Sequence, residues 1–161
     1  MDWKIAFKDG FAAEDNYKTV EEIENAGLQI IKGTVPGTFL GDLVASGLEK
    51  EFFCSDNIVN IKKYDNYNVW YFGRLQAFNH AYIEFQGIDS VSEIYVNGIL
   101  TLKTRNRFER YIVSENLVDG DNEIVIHIYP SNTENPREPG RTLGSVSFSG
   151  ILPYANTCGL W

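Results

Sequence analysis

The stretch from Phe85 to Gly98, FQGIDSVSEIYVNG, decides the fold. It ends one strand, turns a corner at Gly87 and runs into a second strand that closes on Asn97-Gly98. Asparagine followed by glycine tolerates two consecutive positive φ angles, the requirement of a tight primed hairpin turn whose twist suits antiparallel strands. The following residues, ILTLKT (99–104), therefore read as the returning strand. Ile94 and Val96 alternate on the face expected to be buried.

Outward from this hairpin, period-two alternation recurs. HAYIEFQ (80–86) sets Ala81, Ile83 and Phe85 against His80, Tyr82, Glu84 and Gln86. NEIVIHIY (122–129) sets Ile124, Ile126 and Ile128 against Glu123, Val125, His127 and Tyr129. Both patterns predict antiparallel strands with one buried face, and they put both histidines on the wet side. NVWYFGRLQ (68–76), ERYIVS (109–114), WKIAF (3–7) and LQIIKGTV (28–35) add further strands. VDGDN (118–122) is a turn that launches a strand at Glu123. One short helix is expected over 39–46, capped by Thr38 and stopped by Gly47. SNTENPREPG (131–140) reads as a long surface loop of the kind that binds ligands, with Asn135 and Arg137 as polar candidates. Many short strands, regular turns and one helix give a single all-β domain over 1–161, an antiparallel sandwich of jelly-roll type.

Composition narrows the function. A formal charge of −8 over 161 residues, with no basic run longer than Lys62-Lys63, disfavours nucleic acid as a partner. No apolar run approaches the roughly 20 residues that span a bilayer. The opening Met1-Asp2-Trp3-Lys4 lacks the basic head and apolar stretch of a signal peptide. That leaves the compartment open between cytoplasm and a bacterial periplasmic or secreted location. Cys54 and Cys158 are expected to be free thiols rather than a disulfide. With only His80 and His127 beside them there is no metal-ligand spacing, and no phosphate-cradling glycine loop occurs, so neither metal nor cofactor is expected.

Several segments, in order, resemble the N-terminal sugar-binding domain of glycoside hydrolase family 2, a galactose-binding-like jelly roll, and within it the β-mannosidase branch. They are GTVPGTFLGDLVASGL (33–48), NVWYFGRL (68–75) with Trp70, Phe72 and Arg74, FQGIDSVSEIYVNG, LVDGDNEIVIHIYP (117–130) and the terminal CGLW (158–161). The resemblance implies a fragment of a larger retaining glycosidase in which an immunoglobulin-like domain and a TIM barrel with two catalytic glutamates follow. It further implies that Gly159-Leu160-Trp161 precedes the sandwich's last strand, so that an open edge favours a homodimer. The expected role is a non-catalytic accessory domain that packs on the barrel and shapes its entrance, with the downstream domains as partners. The alternative is an independent carbohydrate-binding module.

Retaining glycosidases need two carboxylates about 5 Å apart. Asn122-Glu123 superficially mimics the Asn-Glu pair that carries the acid/base in such barrels, but the much stronger reading is that Asn122 closes a turn and Glu123 opens a strand on its wet face. GSVSFSG (144–150) lacks the spacing of a nucleophile elbow. Among aromatic groups able to stack on a sugar, Trp70 sits in an apolar strand and is expected in the core, as are Trp3 and Trp161. In β-mannosidases a Trp-Asp-Trp-Gly-Pro segment of this domain helps to form the sugar pocket. Its positions fall on Ser149, Gly150, Ile151, Leu152 and Pro153, of which only the proline is kept. Ser149, Gly150 and Ile151 are the carbohydrate-contacting candidates the resemblance implies, and the lost aspartate argues against mannose specificity.

Overall fold

A computed structural model describes residues 1–10, 12–51, 57–64, 66–89, 91–130 and 159–160. The expected hairpin forms as β7 (Ser92–Val96) and β8 (Ile99–Thr104), joined by Asn97 at φ 52° and Gly98 at φ 77°. The positive φ at both central residues is the primed turn that the Asn-Gly pair anticipates.

Four more strands extend this hairpin. β1 (Lys4–Asp9), β2 (Gln29–Lys32), β4 (Tyr67–Ala77) and β10 (Gly120–Ile128) complete an antiparallel sheet in the order β2-β1-β4-β10-β7-β8. Opposite it lie two small sheets. One has the order β3-β11-β6, from β3 (Gly37–Thr38), β11 (Gly159–Leu160) and β6 (Ile88–Asp89). The other pairs β5 (Ile83–Phe85) with β9 (Tyr111–Val113). The sandwich is all-β and antiparallel, as the alternation predicts.

Its interior is one apolar cluster. Ile5, Val69, Tyr71, Ile94, Val96, Ile124, Ile126 and Ile128 face in from the large sheet and meet Phe85, Ile88 and Val113 from the small ones. Helix α2 (Phe39–Ala45) closes one side with Phe39, Leu40 and Leu43. The Thr38 hydroxyl accepts from the Gly41 N–H, and Gly47 at φ 76° ends the helix, as expected from the sequence.

Three expectations change. Three strands are shorter than their patterns: HAYIEFQ pairs only over Ile83–Phe85, ERYIVS only over Tyr111–Val113 and LQIIKGTV only over Gln29–Lys32, and His80 stands before the first in a bend with φ 60°. β10 begins at Gly120, so Asp121 and Asn122 belong to the strand rather than the turn. Most consequentially, the central strands are buried on both faces. Behind the large sheet, Ala6, Trp70, Phe72, Tyr95 and Val125 form a second apolar cluster with Val20 and Ile23 of helix α1 (Val20–Asn25). Val125 and His127 are thus buried rather than wet. The alternation cannot reveal this cover, because it comes from a segment distant in sequence. Beyond α1 and α2, a single helical turn α3 (Asn57–Asn60) precedes a 3₁₀ turn at Ile61–Tyr64.

Candidate functional site

The densest polar constellation lies on the outer face of the large sheet, where β7 and β10 run side by side and His127 pairs across from Glu93. Glu93 stands between Lys103 on β8, whose ammonium is 2.6 Å from one carboxylate oxygen, and two phenols. The hydroxyls of Tyr95 and Tyr129 donate to the other oxygen at 2.7 and 3.1 Å. Burial pushes the Glu93 carboxyl up, but these three donors outweigh it and hold it below the usual range. Burial and the same carboxylate drive both phenols well above their ordinary value. Glu93 is therefore a fixed anion and its tyrosines are fixed donors, a poor arrangement for a proton-transferring acid.

Beside them His127 lies almost parallel to the Trp70 indole, with ring centroids 4.6 Å apart, and 4.0 Å from the ring of Tyr129. Its Nε2 is 2.8 Å from the Asn68 side-chain oxygen. Because the Asn68 amide nitrogen donates to the Gly10 carbonyl, that oxygen is the accepting end, and His127 donates through Nε2. Burial pulls the imidazole down to about 4, against the nearby carboxylates of Glu93 and Asp15. Near the same face Asp15 is buried, yet Lys8 donates to both its oxygens at 2.7 and 2.8 Å. A cavity of about 240 Å³ opens beside Glu93, lined by Val91, Ser92, Lys103, Thr104, Arg105 and Tyr129.

Both residues of the Asn-Glu pair are engaged in hydrogen bonds that hold turns and a helix start. The Asn122 amide donates to the carbonyls of Val118 and Gly120, while its oxygen accepts from the Val118 N–H and the Asn97 side chain. Glu123 accepts from the Val20 N–H at the start of α1, and its own N–H donates to Asn97. The hairpin turn and the turn before β10 are thus clasped together through two asparagines. Trp70 is fully buried, as expected of a core residue, whereas Trp3 is only partly buried where it packs on the interior cluster. Asn135, Arg137, Ser149, Gly150, Ile151, Cys54, Cys158 and Trp161 lie outside the described residues. No group of three or more potential metal ligands occurs among the described residues.

Residues 12–144 match the model of the glycosyl hydrolase 2 galactose-binding domain-like family. The chain belongs to this family. A probable beta-mannosidase of Caenorhabditis elegans is 34% identical to the family 2 domain over 104 residues, 58% of this chain and 11% of that protein. A mannosylglycoprotein endo-beta-mannosidase of Lilium longiflorum is 27% identical over 123 residues, 69% of this chain and 12% of the relative. The domain therefore spans about a tenth of the length of the curated relatives it matches. The crystal structure of the beta-D-mannosidase from Dictyoglomus thermophilum has a TM-score of 0.62 at 27% identity, over 83% of this chain and 16% of that one. An exo-chitosanase from Amycolatopsis orientalis shares the fold alone, with a TM-score of 0.59 at 17% identity over 79% of this chain and 16% of the other. These matches bear out the family and its β-mannosidase-like branch. The family match ends before Ser149, so the departure at 149–153 lies beyond it.

The outer-face cluster was missed in the sequence. Its members are spread from Lys8 to Tyr129, and only the sheet order brings them together. One signal was present: the residues Thr19-Val20-Glu21-Glu22 form a capping box, in which the Thr19 hydroxyl accepts from the Glu22 N–H and the Glu22 carboxylate accepts from the Thr19 N–H. It announces α1, and with it the cover over His127's side of the sheet.

Proposed function

We propose that this family 2 domain is a non-catalytic part of a larger β-glycosidase, in which it packs beside the catalytic barrel and shapes its entrance. What supports the reading most directly is the state of the Asn122-Glu123 pair. Both side chains that mimic glycosidase machinery in sequence are committed to the backbone of two turns and a helix start. Glu93 is likewise held ionised by three donors, so it has no proton to give to a leaving group at neutral pH. The relatives, named as β-mannosidases, correspond to this chain over only a small part of their length, which agrees with a domain that serves a site built elsewhere.

The test is to incubate the purified chain with aryl β-mannoside, β-glucoside and β-galactoside beside a full-length relative. The expected result is turnover by the full-length enzyme and none by the chain. Turnover by the chain that Glu123→Gln abolishes would overturn the reading.

A further inference from the structure

Asn97-Gly98 is the chain's one asparagine followed by glycine, and it forms the two-residue turn between β7 and β8. Such a pair carries its own chemistry. Glycine has no side chain to shield its backbone nitrogen, so that nitrogen can approach the Cγ of the preceding amide closely. Having given its proton to water or hydroxide, the Gly98 nitrogen attacks Asn97 Cγ. The new C–N bond closes a five-membered imide, the Cγ–Nδ2 bond breaks, and Nδ2 takes a proton from water and leaves as ammonia. Water then opens the imide at either carbonyl. One product is aspartate at 97. The other is isoaspartate, in which the main chain runs through Cβ and Cγ. Nothing is oxidised or reduced, and water is the only co-reactant.

The fold holds the pair away from that path. The Asn97 side-chain nitrogen donates to the Asn116 carbonyl at 2.8 Å and to the Asn122 side-chain oxygen at 2.9 Å. The Asn97 side-chain oxygen accepts from the Glu123 N–H at 3.0 Å, and the Asn97 N–H donates to the Glu123 carbonyl at 2.9 Å. Cγ cannot swing over the Gly98 nitrogen until the three side-chain bonds break. The same bonds make the products unfit for the site. Asn122 cannot turn its amide round, because its nitrogen serves the Val118 and Gly120 carbonyls and its oxygen serves the Val118 N–H. That oxygen therefore requires a donor at 97. Aspartate would set a carboxylate against it and against the Asn116 carbonyl. Isoaspartate would add a carbon to the main chain of a turn built from two residues at positive φ.

We propose that Asn97 is a modification site of this domain and that the asparagine clasp is its guard, so that opening of the clasp sets the pace of a one-way deamidation that dismantles the β7–β8 turn. The opening is local. It frees Asn97 from Asn116, Asn122 and Glu123 while the sheets stay packed, as turns do at far lower cost than global unfolding. Modified chains accumulate with the age of the folded protein, and they do not regain the clasp. None of this depends on the accessory role proposed above.

The experiment incubates the chain in neutral buffer and follows asparagine, aspartate and isoaspartate at 97 by peptide mapping. A synthetic peptide of residues 93–101 runs beside it, as does the chain in rising urea below its unfolding transition. The expected result is conversion at least about tenfold slower than in the peptide, with a rate that climbs with urea much less steeply than the unfolding equilibrium. Asn122→Ala removes one arm of the clasp, whereas Gly37→Ala destabilises β3 instead. The first is expected to convert about tenfold faster than the second. If Asn122→Ala does not fold, the urea series decides alone. Asn97→Asp, which reproduces one product, should lower the urea midpoint. Conversion as fast as in the peptide would overturn the guard. A urea dependence as steep as that of unfolding would overturn it too, because the whole fold and not the clasp would then protect Asn97. An unchanged midpoint in Asn97→Asp would sink the loss of the turn.

Discussion

Asn122 does more for this fold than any exposed group near it. It is 2% exposed and uses both donors and both acceptor positions of its amide, on Val118, Gly120 and Asn97. Removing such a hub leaves several buried groups without partners, each worth about 1–3 kcal/mol. Asn122→Ala is expected to lower stability by about 2–4 kcal/mol in urea denaturation, and Glu123→Gln, which keeps an accepting oxygen for Val20, by well under about 1 kcal/mol. Equal losses would mean that the clasp does not organise the turn. A second residue-scale test is Gly37→Ala. A Cβ there would collide with the Thr34 carbonyl oxygen, a backbone atom that cannot step aside, so a loss of about 2 kcal/mol or more is expected in the same assay. The Asn97-Gly98 turn was legible because turn chemistry is local. Asn122's partnership with Asn97 was not, since it depends on two loops meeting across the sheet.

At the scale of elements, β10 is where the alternation misled. Its isoleucines face the interior as their spacing implies, but Val125 and His127 on the reverse side are buried as well, under a layer to which α1 contributes. Strands alone suggested one wet face, and the capping box at Thr19 carried the contrary signal. A pH dependence follows. Burial depresses His127 to about 4 in the folded chain, while the unfolded chain titrates near 6.5. The unfolded state therefore binds the extra proton between these values. The contribution is complete above about pH 6.5 and lost as pH falls toward 4, for a total of about 3 kcal/mol. The depressed carboxyls of Asp15, Glu49 and Glu93 add their own loss further down, as pH falls below the usual carboxylate value. His127→Gln should flatten the decline between pH 7 and pH 5 by about 2 kcal/mol in urea midpoints converted to free energy. An unchanged decline would mean that the imidazole titrates near its ordinary value.

At the scale of the whole molecule, fold and family were readable because jelly-roll strands, turns and their order are written locally. The sugar-facing chemistry was not, because a pocket gathers groups that lie far apart in sequence. Two relatives are named as mannosidases, whereas the resemblance sets Ser149, Gly150 and Ile151 where the β-mannosidase branch carries Trp-Asp-Trp. A carboxylate gives charge-assisted hydrogen bonds to sugar hydroxyls, roughly twice as strong as neutral ones. By the resemblance, Gly150 would stand in its place with backbone alone, and Ser149 and Ile151 would stand in place of two indoles. Losing one such contact costs about 1–3 kcal/mol, or roughly 10- to 100-fold in affinity. The larger enzyme proposed above is therefore expected to prefer a different or more substituted β-linked sugar, and the isolated domain to give no heat of binding with mannose in calorimetry. A panel of aryl β-glycosides against the full-length protein decides it. If β-mannoside has clearly the highest kcat/KM, the inference from Gly150 is wrong. Gly150→Asp supplies the complementary measurement: it should raise kcat/KM for the mannoside relative to the other sugars if this position reaches the substrate.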